Sequence, residues 1–234
     1  MNSPLHDIAF LHTAEVHVSG FSQLMEQYGP GIPVRHEVDA SLLSDATEQG
    51  LTPVIIERTR QALLNASSSG AKIVVCTCST LGSIAEVLDE SARGVSYMRV
   101  DRPMADQAVA TGQHILIVAA LETTLNPTRT LLESSARNRH PAAQLNTMLV
   151  PDAWDSFLQG DTRNYQSMIA AYLDDKKNYP NGQPDVIVLA QASMAPAAEL
   201  CTRVEVPVLS SPALGVKAAI ELLQGKKLDA NTTS

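Results

Sequence analysis

Apolar positions along this 234-residue chain fall in short runs that alternate with stretches of helical spacing. "DIAFLHT" reads as a strand. "SGFSQLMEQYG" sets its apolar residues three and four apart, as a helix does, and stops at Gly29. "GIPVRHEVD" reads as a second strand, and "TPVIIERTRQALLNASSSG" as a helix with Pro53 tolerated in its first turn and Gly70 at its end. "AKIVVCTC", "TLGSIAEVLDESAR" and "VSYMRVD" continue as strand, helix and strand. "HILIVAAL" then opens a second round: "TTLNPTRTLLESSARN", "QLNTMLV", "YQSMIAAYLDD", "PDVIVLAQ", "MAPAAELCTRV", "VPVLSS" and "ALGVKAAIELLQG" alternate helix and strand to the end. Short strands alternating with helices of about 10–15 residues predict βαβ units on parallel sheets, an α/β protein.

The second round repeats the first. Shifted by 113 positions, "IVVCTCSTLGSIAEVL" from Ile73 lies on "VIVLAQASMAPAAELC" from Val186, with an apolar strand, a small polar turn and an Ala-Glu pair in each. With a slightly different offset, "VDRPMA" from Val100 matches "LSSPAL" from Leu209, proline on proline, and "DIAFLHTAE" near the start similarly resembles "HILIVAALE". The repeat predicts two similar α/β lobes. Parallel sheets bind ligands at the carboxyl ends of their strands, so two facing lobes would enclose a cleft lined by those ends. Cys78 of the first lobe then has Gln191 as its counterpart in the second.

Composition removes several classes of function. A net charge of −8 with no offsetting basic patch argues against non-specific nucleic-acid binding. No apolar stretch approaches the roughly 20 residues of a membrane helix. "MNSPLHDIAFLHTAEV" lacks the basic leader and long apolar segment of a signal peptide, so a cytoplasmic protein with reduced thiols is expected. The three cysteines are too few for a disulfide scaffold. Cys76 and Cys78 lie about 6.6 Å apart in an extended chain, near the limit for a bridge. The six histidines are scattered without ligand spacing, so no metal site is expected.

Cys78-Ser79-Thr80 resembles the Cys-Asn-Thr turn of the aspartate/glutamate racemase superfamily, which includes hydantoin and allantoin racemases, maleate isomerase and arylmalonate decarboxylase. Leu189-Ala190-Gln191-Ala192 stands where that family has Leu-Gly-Cys-Thr or Leu-Gly-Cys-Ala. Ala119-Ala120-Leu121-Glu122-Thr123 is similar to its Ala-Thr-x-x-Thr stretch, with the first threonine replaced. The resemblance covers nearly the whole chain in element order. It implies two flavodoxin-like (Rossmann-like) lobes related by a pseudo-twofold axis, with residues 1–102 and 213–234 in one and 103–212 in the other, and the active site in the cleft between them. It also implies cofactor-independent chemistry at the α-carbon of a small carboxylate, and a homo-oligomer. In such racemases one thiolate removes the α-proton and a second thiol returns it. Here the second thiol is replaced by Gln191, which is neither acid nor base near neutral pH.

Each candidate residue has a chemical reason. A thiolate before a helix start is stabilised by unpaired N–H groups, so Cys78, ahead of "STLGSIAEVL", is expected to have a lowered pKa. Cys76 projects to the same side of the strand and is expected to be structural, as is Cys201 in its helix. An enolate needs preorganised donors; Ser79, Thr80, Ala192, Ser193 and the Gln191 amide are placed to supply them, although serines and threonines here also suit helix capping. His12 and Thr13 follow a strand of the first lobe, and His12 is either a second acid/base or a structural histidine. Thr123 and Thr124 suit a carboxylate at a helix start, with the resemblance favouring Thr123. Asp39 and Ser41 follow another strand and are either site residues or a helix cap, with capping favoured, and Arg102 either pairs with a carboxylate or is a solvated charge. Racemase or isomerase is the leading reading. A single-cysteine decarboxylase of a malonate-like acid and an inactive small-acid binding protein stay open beside it.

Overall fold

Among the described residues of the computed structural model (6–68, 70–91, 94–137 and 139–232), eight strands make two four-stranded parallel sheets. The first compact unit runs to Asp101 and resumes at Pro212; the second spans Arg102–Ser211. In the first, β1 (Ile8–His12), α1 (Val16–Tyr28), β2 (Val34–Val38), α2 (Ala40–Gln49), α3 (Pro53–Ser67), β3 (Ile73–Cys76), α4 (Gly82–Ser91) and β4 (Ser96–Arg99) follow one another, and the sheet order is β2-β1-β3-β4. In the second, α5 (Arg102–Thr111), β5 (His114–Ala119), α6 (Leu125–Ala136), β6 (Gln144–Leu149), α7 (Ala153–Leu158), α8 (Thr162–Asp174), β7 (Val186–Leu189), α9 (Ala197–Leu200) and β8 (Val208–Ser210) give β6-β5-β7-β8. The last helix, α10 (Ser211–Thr232), returns to the first unit. The two lobes are similar parallel α/β structures of flavodoxin type.

Apart from His12 and His114 at their ends, the central strands β1, β3, β5 and β7 are apolar because both faces are covered. In the first lobe, Ala9, Leu11, Val74 and Cys76 pack with Leu42, Ile55, Leu63 and Leu88 from α2, α3 and α4. On the opposite face Phe10 meets Phe21 of α1. Gly215 lets α10 run close to the end of β4, where any Cβ would strike the Val100 side chain and carbonyl. In the second lobe, Leu116, Val118, Ile187 and Leu189 pack with Tyr165, Ile169 and Leu173 of α8.

Three helices escape the hydrophobic pattern: α2, α5 and α7. Another expected helix shrinks. "MAPAAELCTRV" forms one α-turn, α9, behind a short 3₁₀ turn at Ala192–Met194. The Asp174 carboxylate takes the N–H groups of Thr202 (2.9 Å) and Arg203 (2.8 Å), drawing the chain out of helical geometry. α10 continues through the polar segment to Thr232, and the final two residues lie outside the described set.

Candidate functional site

Strand pairing fixes which residues emerge together. Leu11 pairs with Cys76 in the first lobe and Val118 with Leu189 in the second. Two residues beyond each pair, Thr13 therefore stands beside Cys78, and Ala120 beside Gln191.

Cys78 sits in the turn between β3 and α4, about 7% exposed. The Thr13 hydroxyl and the backbone N–H groups of Leu81 and Thr80 bond its sulfur. These donors favour the thiolate, yet the thiol's pKa is raised: burial dominates, and the Asp101 carboxylate adds to it. The expected lowering fails because α4 begins only at Gly82, leaving the sulfur under the loop and not at an open helix end. Cys76 is sealed in the core, and its thiol approaches the Cys78 carbonyl at 3.7 Å. Burial first, then the neighbouring Cys78, pushes its pKa up to about 12. Cys201 caps the single turn of α9, its thiol donating to the Ala197 carbonyl at 3.3 Å.

Beneath this turn lies an ion pair that the sequence did not reveal. Arg99, at the end of β4, forks onto Asp101 with Nε–Oδ1 2.6 Å and Nη2–Oδ2 3.1 Å. Its Nη2 also reaches the Ser79 carbonyl at 3.3 Å, and Nη1 reaches Glu86 of α4 at 3.4 Å. Burial opposes the guanidinium's charge, and the Asp101 and Glu86 carboxylates outweigh it, raising the Arg99 pKa. A basic residue at a strand end beside an acid two positions on was the available signal. It was missed because Arg99 falls inside "VSYMRVD", whose pattern reads only as a strand.

His12 is fully buried with both ring nitrogens engaged: Nδ1 meets Thr77 Oγ1 at 2.8 Å and Nε2 meets His36 Nδ1 at 2.9 Å. Thr77 donates its hydroxyl to the Leu11 carbonyl at 3.0 Å. It must therefore accept from His12 Nδ1–H, which leaves Nε2 to accept from His36 Nδ1–H. His36 Nε2 in turn meets Ser22 Oγ at 3.1 Å, and the Ser22 hydroxyl donates to the Val18 carbonyl at 2.8 Å. Burial, then His36 and His17, lowers the His12 pKa to about 3. Of the two roles open to His12 in the sequence, this geometry is the structural one: the ring ties the ends of β1 and β3, where Thr13 and Cys78 emerge.

In the second lobe Gln191 Oε1 accepts the N–H groups of Ala120 (2.7 Å) and Leu121 (3.1 Å). Two donors must face an acceptor, so the amide's orientation is set by chemistry. Its NH2 has no partner among the described residues. The buried Thr123 hydroxyl is likewise unpartnered. Thr124 is buried, Ala192 is half-buried, and the Ser193 hydroxyl is bound to Tyr165 at 2.9 Å. In the first lobe Ser79 and Thr80 are buried in the Cys78 turn.

Other candidates have structural partners. Asp39 caps α2 by accepting the Ser41 N–H at 3.1 Å. Arg102 donates to Ser134 and Ser135 of α6, at 3.2 and 2.9 Å. No group of three histidine, cysteine or acidic side chains suited to a metal occurs among the described residues. Nor is any described helix long and apolar enough to cross a membrane.

No protein-family description matches the sequence, and no curated protein does. Solved structures match along nearly its whole length. Glutamate racemase from Francisella tularensis subsp. tularensis SCHU S4, in complex with D-glutamate, aligns with a TM-score of 0.71 at 13% identity, covering 97% of this chain and 84% of that one. Picrophilus torridus aspartate racemase gives 0.65 at 15%, covering 93% and 94%. Allantoin racemase from Pseudomonas fluorescens gives 0.55 at 16%, covering 93% and 90%. The chain therefore has the two-lobe α/β fold of these racemase structures.

Proposed function

We propose that this protein is a cofactor-independent isomerase of the racemase type, acting at the carbon next to the carboxyl group of a small acid or amino-acid derivative. Cys78 is its only working thiol. In this reading the Cys78 thiolate takes the α-proton, and the electron pair passes into the carboxyl group as an enolate. The NH2 group of Gln191 and the hydroxyl of Thr123 hold substrate oxygens. Inversion then needs the returning proton to come from solvent on the other face, because an amide cannot supply it. His12, Ser79, Thr80, Thr124, Ala192 and Ser193 support the site without exchanging protons.

The observation that carries this reading is the environment of Cys78. A thiol at a parallel strand's carboxyl end receives two backbone N–H groups and the Thr13 hydroxyl on its sulfur. Such donors serve no packing purpose for an inert cysteine, and they stabilise a thiolate that forms during turnover. One observation favours the lyase reading as well. Burial and Asp101 favour the protonated resting thiol, which suits a group that donates a proton to the enolate left by loss of carbon dioxide.

Incubation with aspartate, glutamate, hydantoins, allantoin and aryl- or alkylmalonates in deuterated water tests these readings. Deuterium at the α-carbon with inversion supports the isomerase. Carbon dioxide release with deuterium in the product supports the lyase. Saturable binding without either result points to a binding protein, and the isomerase reading then fails. A Cys78→Ala variant must abolish whichever reaction is found.

A further inference from the structure

We propose that Arg99 is a positioning residue for Cys78: it grips the Ser79 carbonyl so that the turn keeps the Thr80 and Leu81 N–H groups on the sulfur. Its side chain lies against the first turn of α4. A Cβ on Gly82 would come within 2.8 Å of Arg99 Nε and 3.1 Å of Cζ, so glycine is what lets the guanidinium sit there. From that position one planar group binds two acids and the peptide carbonyl directly after the thiol. The Ser79 carbonyl also accepts the Gly82 N–H at 3.4 Å, so holding it fixes the turn that aims the two N–H groups.

Stability alone does not account for this arrangement. A buried ion pair roughly breaks even against apolar residues of the same volume. The second lobe supplies an internal control: Arg99 pairs with Cys76, and the residue paired in the same way with Leu189 is Ser210. Where the strand leads to a thiol, the neighbouring strand carries the arginine. Where it leads to Gln191, whose amide is already anchored by two backbone N–H groups, it carries a serine.

The groups facing Cys78 are the Cys76 thiol of β3, the Thr13 hydroxyl beyond β1, and Asp101 beyond β4; Glu86 of α4 acts through Arg99. The proposal deepens the role given to Cys78. Its test needs no substrate, so it stands or falls separately from the isomerase reading.

Iodoacetamide alkylation of the full chain, followed across pH and located on Cys78 by mass spectrometry, reads the thiol directly. Arg99→Lys keeps the cation beside Asp101, but one ammonium cannot span Asp101, Glu86 and the Ser79 carbonyl. Gly82→Ala displaces the guanidinium without changing any charge. Both variants, verified as folded by circular dichroism, are expected to raise the alkylation midpoint by about one pH unit, because two N–H donors to the thiolate are loosened. Alkylation well below the midpoint then slows about tenfold. A purely structural Arg99 would change melting temperature and leave the midpoint in place. An unchanged or lowered midpoint in either folded variant overturns the proposal; should Arg99→Lys fail to fold, Gly82→Ala alone decides.

Discussion

Cys78 and Gln191 occupy matching places in two similar lobes, and their surroundings give them opposite chemistry. The thiol receives donors and can exchange a proton. The amide has spent its acceptor on Ala120 and Leu121 and offers only donors. Gln191→Glu keeps an acceptor for both N–H groups while replacing the outward NH2 with an oxygen. It is expected to leave thermal stability near wild type and to abolish binding of carboxylate ligands, measured by calorimetry with the acids that the wild type binds. Gln191→Leu leaves two buried N–H groups without a partner and should cost about 1–3 kcal/mol in denaturant unfolding. Cys78→Ala removes turnover, whereas Cys76→Ala retains much of it and loses stability through a small core cavity; equal loss of activity in both would overturn the assignment of the working thiol. The position of this thiol was legible because a strand end followed by small residues is a local pattern. Its titration was not, because burial by Leu81 and the field of Asp101 come from residues brought together by the fold.

At the scale of elements, legibility followed length and apolar content. α3, with fifteen residues and buried Ile55, Thr59 and Leu63 along one face, is evident from spacing alone. α2 begins directly after its cap, two residues past β2, and buries only Leu42 and Ala46. α5 likewise starts three residues after β4, so its polar first turn reads as a linker. Capping nevertheless marks α2: from its type and place Asp39 reads as a cap or a site residue, with the cap favoured, and its carboxylate holds the Ser41 N–H. Asp39→Ala should therefore destabilise the protein by about 1 kcal/mol, with Asp39→Asn recovering most of the loss in the same unfolding measurement. A destabilised Asn variant would mean that Asp39 acts by charge and not by capping.

For the molecule as a whole, the repeat was a true guide to two similar lobes: the alignments of Cys78 with Gln191 and of "DIAFLHTAE" with "HILIVAALE" agree with the strand pairings, Leu11–Cys76 answering to Val118–Leu189. The match of "VDRPMA" with "LSSPAL" lies two residues out of the register that sets Arg99 against Ser210. What the repeat could not show is where the lobes differ, and the histidine chain of the first lobe is the largest such difference. His12 and His36 stack on each other and on Phe10, while Phe21 meets His12 tilted and His17 edge-on; all three histidines have lowered pKa values, His12 to about 3 and His17 to about 4. Burial and the neighbouring His36 and His17 keep His12 neutral, and with its Nδ1–H on Thr77 its Nε2 is left as an acceptor. In the unfolded chain these rings protonate near pH 6.5, so below that pH the unfolded state binds more protons than the folded one. Stability must therefore be full above pH 7 and decline as pH falls from 6.5 toward 4. For His12 alone the decline is about 1.4 kcal/mol per pH unit, or roughly 2 kcal/mol by pH 5, above the range where ordinary carboxylates titrate. Urea unfolding at pH 7.5 and pH 5 measures the difference. His12→Phe preserves the stack and removes the proton site, so it should be less stable at pH 7.5 through its lost bond to Thr77 yet show a shallower fall toward pH 5. A parallel fall in both proteins would mean that the acid sensitivity arises elsewhere in the fold.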